Sequence, residues 1–211
     1  MFLMRVALPD VPGKLGAVAT ALGTEGVDIA AIQIVGRDGD TVIDDFLVDL
    51  PAGRLADQVV SACQAIEGVR VEWIAFYPEG GTLTTDLEAL EQIIRDPAQG
   101  GRILAESSVS VFHAGWAVLV EDCSTEPRAT HRTARAPELT GEQLTALGDW
   151  SVESLTPPAQ WLPGWQDVTI AKAPLVGDRA VILGRQGGPG FLPAELARFA
   201  HLAALVPPAV P

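Results

Sequence analysis

Arg5-Val-Ala-Leu-Pro-Asp-Val-Pro-Gly-Lys-Leu-Gly16 decides how the first part of this chain is read. Its left end completes an apolar run, residues 2–8, that suits a β-strand. Pro9, Pro12 and Gly13 break the run, and Leu15, Val18, Ala19 and Leu22 then recur at helical spacing, predicting a helix over residues 13–25. Pro suits an early helical position, Asp10 can cap the free amides, and Gly13 lets another group approach the backbone closely. The exposed amides of a helix start can instead receive a ligand carboxylate, and the ligand's amino group then wants an anion such as Asp10 or Asp28. Plain capping by Asp10 beside a solvated Lys14 accounts for the same residues without a ligand.

Outward from this loop, residues 27–36 and 41–50 read as strands joined by Arg37-Asp-Gly-Asp40, where Asp-Gly supplies the positive φ of a tight hairpin. Residues 54–66 carry Leu55, Val59, Ala62 and Ile66 on one helical stripe, and residues 69–77 form a last strand. The order βαββαβ predicts a ferredoxin-like sandwich over residues 1–77, four antiparallel strands with two helices on one face.

The opening stretch, together with Ala21-Leu-Gly-Thr-Glu-Gly-Val-Asp-Ile29 and Asp44-Asp-Phe-Leu-Val48, resembles the ACT domain, an amino-acid-sensing module of metabolic enzymes and regulators. The resemblance covers residues 2–77. It implies that two copies pair side by side across a two-fold axis into a homodimer and bind an amino acid at the interface. The family's contacts map to Asp10, Pro12, Gly13, Lys14 and Leu15 on one copy, with Asp28 and Ile29 across the interface. Position 28 is Asp where the family commonly has Asn. An ionised carboxylate donates nothing to a ligand oxygen, so Asp28 either binds an amino group or marks a module that only dimerises.

Pro78-Glu-Gly-Gly-Thr82 begins a linker, residues 78–83, and the remainder, residues 84–207, reads as a second α+β domain before a short tail at 208–211. Helices are expected at 83–95, 101–112, 140–147 and 193–205, and strands at 116–121, 128–135, 168–173 and 180–185. Ala173-Pro-Leu-Val-Gly-Asp-Arg-Ala-Val-Ile-Leu-Gly-Arg185 and Phe191-Leu-Pro-Ala-Glu-Leu-Ala-Arg-Phe-Ala-His-Leu-Ala203 resemble the end of a GAF domain, a small-molecule sensor whose pocket lies over an antiparallel sheet. The resemblance implies a GAF-like sheet with flanking helices, and places residues 149–166 where ligand-covering elements fall. Trp150, Trp161 and Trp165 there either wall a pocket for a planar ligand or cap the core under a Pro-rich loop.

Composition excludes several function classes. Of 211 residues, 48% are apolar, ample for a folded core, and the formal charge is −13. Lys and Arg number five against eleven Asp and Glu in the first 77 residues, and nine against sixteen in the rest. A phosphate backbone or an anionic membrane is repelled by both parts, so neither nucleic acid nor membrane is expected as a partner. No apolar run approaches the roughly 20 residues of a membrane span. Two cysteines in separate parts suggest no disulfide framework or metal cluster, and with no signal-peptide pattern at the start the expected address is cytoplasmic.

Catalytic signatures are missing as well. The glycines between Gly184 and Gly190 match neither a dinucleotide fingerprint nor a phosphate loop, and read as turn formers. His113, His131 and His201 lack zinc-enzyme spacing, and Ser107, Ser108 and Ser110 lack a nucleophile-elbow context. Cys63 reads as core, and Cys123 shows no basic neighbour that would activate it. Asp38, Asp40, Asp44 and Asp45 lack calcium-loop spacing, and a hairpin would split them between faces, so no metal or cofactor is expected. The expectation is a non-catalytic regulatory protein that binds an amino acid or similar small metabolite, passing its signal to a protein partner or through a change of assembly. The alternatives are a dimerisation scaffold for an enzyme of unrecognised type, and a regulatory subunit of an amino-acid biosynthetic enzyme.

Overall fold

The structure is a computed structural model that describes residues 1–76, 84–165 and 167–208; the linker expected at 78–83 and all but the first residue of the expected tail lie outside that set. The chain is α+β and divides into two compact units, Met1–Gly80 and Gly81–Pro211, each built on one antiparallel sheet.

The first unit runs β1 (Phe2–Pro9), α1 (Lys14–Thr24), β2 (Asp28–Asp38), β3 (Thr41–Asp49), α2 (Ala56–Gln64) and β4 (Arg70–Phe76). The strands lie in the order β2-β3-β1-β4, leaving β2 at one edge. Alternation along β3 separates two faces. Val42, Phe46 and Val48 join Met4, Val6 and Leu8 in a core closed by Val18 and Leu22 of α1 and Val59 and Cys63 of α2. Burying such side chains supplies about 1.5–3 kcal/mol each. The β2–β3 hairpin turns on Gly39 (φ +57°) and Asp40, so one positive φ suffices where two residues were expected to supply it.

The second unit runs α3 (Thr84–Arg95), a 3-10 turn at Pro97–Gln99, α4 (Gly100–Val111), β5 (Trp116–Glu121), β6 (Arg128–Arg132), α5 (Gly141–Thr145), β7 (Glu153–Leu155), β8 (Val168–Leu175), β9 (Arg179–Gln186) and α6 (Pro193–Ala204). Its sheet order is β6-β5-β9-β8-β7. Side chains alternate between two cores. Ala117, Leu119, Ala171, Ala173, Val181 and Leu183 pack with Leu104, Phe112, Phe199 and Leu202 on the helix side. On the other face Trp116, Val118, Val120, Ile170 and Ile182 meet Leu144, Leu147 and Trp161.

Two expectations change here. The strand expected at 128–135 stops at Arg132, because the Thr133 amide and hydroxyl turn inward onto Ala117, the amide donating to its carbonyl at 3.0 Å. Gly184 shapes no turn. It lies inside β9 opposite Trp116, where an added Cβ would stand 2.0 Å from the indole ring, so only glycine leaves room for that ring.

Candidate ligand site on the first unit

The loop between β1 and α1 folds back on the hairpin. The Asp10 amide donates to Asp40 O at 2.8 Å, and Arg37 NH1 donates to Asp10 Oδ2 at 3.0 Å. Asp10 therefore does not cap α1, correcting the sequence expectation: the ion pair holds it beside the hairpin instead. The cap is Gly13, at φ +91°, with no side-chain acceptor, and Pro12 precedes it rather than opening the helix. An added Cβ at Gly13 or Gly16 would meet nothing within 4 Å, so the approach to the first turn is open. The amide of Lys14 reaches Val11 O at 3.3 Å and that of Ala17 reaches Gly13 O at 2.9 Å, while those of Leu15 and Gly16 have no acceptor among the described residues. Lys14 is not simply solvated, since its Nζ donates to Glu67 O at 2.6 Å and ties α1 to the turn after α2. Leu15 is exposed.

Asp28 and Ile29 lie elsewhere. Asp28 is exposed at the start of β2 opposite Asp49, and Ile29 is half-buried opposite Val48. The Asp49 carboxylate stands 3.2 Å from the Met1 amino group. Because Pro9 and Asp38 both pair with Thr41, the 10–15 loop sits at the far end of the 11-residue β2 from Asp28. At ~3.3 Å per residue the two groups are on the order of 30 Å apart within one chain. One copy does not bring them together.

Between them runs the edge. Ile29, Ile32 and Ile34 share a register face with Val48, Phe46 and Asp44 of β3. Ile32 and Ile34 remain 39% and 56% exposed. An apolar edge strand with an unpaired backbone invites pairing with another strand.

The four aspartates expected to split between faces do so at Asp44 and Asp45. Asp45 lies on the face away from the helices, where Arg5 Nε and NH2 grip its two oxygens at 2.7 and 2.8 Å. Asp44 points to the helix face and is 2% exposed, and its Oδ1 is sealed without a hydrogen-bond partner among the described residues. Burial first, then the charges of Asp45 and Asp10, push its carboxyl above the usual carboxylate range, with Arg37 opposing them. Sequence reading weighed Asp44 only as a metal ligand, although its place in the Val42, Phe46, Val48 alternation marked it as inward-facing.

In the second unit the tryptophans are packed rather than arranged around a cleft. Trp161 Nε1 donates to Gln143 O at 2.7 Å, Trp150 Nε1 to Cys123 O at 3.0 Å, and Trp165 meets Trp116 edge-on at 5.9 Å. Lys172, fully buried on β8, donates to Leu147 O at 2.6 Å and to Asp149 O, and pairs with Glu153 at 2.7 Å, pinning the segment that carries Trp150. His131 pairs with Glu106 at 2.7 Å. Burial pushes the thiols of Cys63 and Cys123 up to about 11 and about 12, Asp178 adding to the second. Among the described residues no group of three or more His, Cys, Asp or Glu side chains is placed to hold a metal ion, and no helix is long and apolar enough to cross a membrane.

No protein-family model matches the chain. NAD-dependent malic enzyme 1 of Bacillus subtilis (strain 168) is 32% identical over 73 residues, which is 34% of this chain and 17% of the enzyme, so the chain spans less than a fifth of that relative's length. Similar solved structures include a formyltetrahydrofolate deformylase from Pseudomonas putida KT2440, with 12% identity and a TM-score of 0.30 over 44% of this chain and 37% of that one. Another is the GAF domain of a sensor histidine kinase from Pseudomonas syringae pv. tomato, with 13% identity and a TM-score of 0.42 over 60% of this chain and 83% of that one. A Galdieria sulphuraria protein aligns over 96% of this chain and 87% of its own, with 14% identity and a TM-score of 0.31.

Proposed function

We propose that this chain is a non-catalytic regulatory protein whose first, ACT-like unit forms a homodimer through β2 and binds an amino acid or similar small metabolite at the interface. The observation that supports the reading is that the 10–15 loop and Asp28 lie at opposite ends of an exposed apolar edge strand. Antiparallel pairing of β2 with its two-fold mate would set residues 10–15 of one copy beside Asp28 and Ile29 of the other. It would also bury Ile32 and Ile34. The unpaired amides of Leu15 and Gly16 suit a ligand carboxylate. The second unit serves as a GAF-like sensing module, and the signal leaves through a protein partner or a change of assembly, in the cytoplasm. A ligand that bridges two copies shifts that assembly by its differential affinity.

The test is the melting temperature of the full chain with each of the twenty amino acids at millimolar concentration, beside its sedimentation behaviour. A ligand at 100 times its Kd adds about 2.7 kcal/mol, a shift of a few degrees. A dimer whose midpoint rises with one amino acid, and no longer rises in Asp28→Ala, supports the reading. A monomer that no amino acid shifts overturns it. A dimer that none shifts supports the scaffold reading, which the ties of Asp10 to Arg37 and of Lys14 to Glu67 O favour.

A further inference from the structure

We draw no further inference here: the strongest candidate, the apolar surface patch that Leu87 and Ile94 form on α3, 62% and 76% exposed, is an unpartnered helix face, and nothing among the described residues shows what covers it.

Discussion

Arg5 grips Asp45 through two parallel hydrogen bonds, 2.7 and 2.8 Å, with its guanidinium 1% exposed and the carboxylate largely covered. Removing Arg5 leaves the largely covered Asp45 carboxylate without its guanidinium, a loss of about 3–5 kcal/mol. Arg5→Leu should destabilise the first unit by that order, measured by urea unfolding. A loss below about 1 kcal/mol would show that the pair is solvated.

The neighbouring Asp44→Asn should do the opposite at neutral pH. Asp44 titrates above its unfolded value, so the folded state holds its proton more tightly. Its contribution to stability is therefore complete below about pH 4 and is lost as pH rises through the folded value. Relative to wild type, Asp44→Asn should be the more stable protein at pH 7, and the gain should shrink towards pH 4. Unfolding curves of both proteins across that window check the sign, and a difference independent of pH would contradict it.

Along β2, Ile32→Lys places a charge on the apolar edge, a device that discourages strand pairing. Sedimentation should show the variant as a monomer with an unchanged circular dichroism spectrum. A dimer that survives the substitution excludes β2 as the contact.

Lys172 offers its ammonium to two carbonyls and to Glu153. Lys172→Met keeps the volume and leaves those acceptors unpaired, at a cost of about 3 kcal/mol. The effect should appear as a lower unfolding midpoint with altered tryptophan emission, since Trp150 lies on the segment that the lysine pins.

Neither thiol should react with iodoacetamide at pH 8 in the folded protein, because burial holds Cys63 and Cys123 near 11 and 12, mostly protonated. Mass spectrometry should find two carbamidomethyl groups only after denaturation.

The first unit was largely legible in the sequence because its strands and helices state their periods locally. Leu15 to Leu22 and the alternation of β3 each need only a dozen residues to be read. What escaped depended on distant partners. Asp10 looks like a cap until Arg37, 27 residues away, is seen to hold it. Lys14 looks solvated until the Glu67 carbonyl arrives from beyond α2. The 150–165 stretch has no period at all, and it is held from outside by Lys172 at Glu153, by Gln143 at the Trp161 carbonyl and by the carbonyl of Cys123 at Trp150. Within the candidate site, the resemblance named the loop and the start of β2 on opposite copies, but the strand register that sets the loop beside the far end of β2 depends on pairing through β3 and β1.

That separation has a genetic reading. If each binding position takes its loop from one copy and its Asp28 from the other, a chain damaged at Gly13 and a chain damaged at Asp28 are each inert alone. Co-expressed, they form a mixed pair in which one position inherits both lesions and the other inherits neither. Two null alleles would then complement, with half the binding stoichiometry of the parent, and a population of mixed pairs would titrate at one ligand for every two chains.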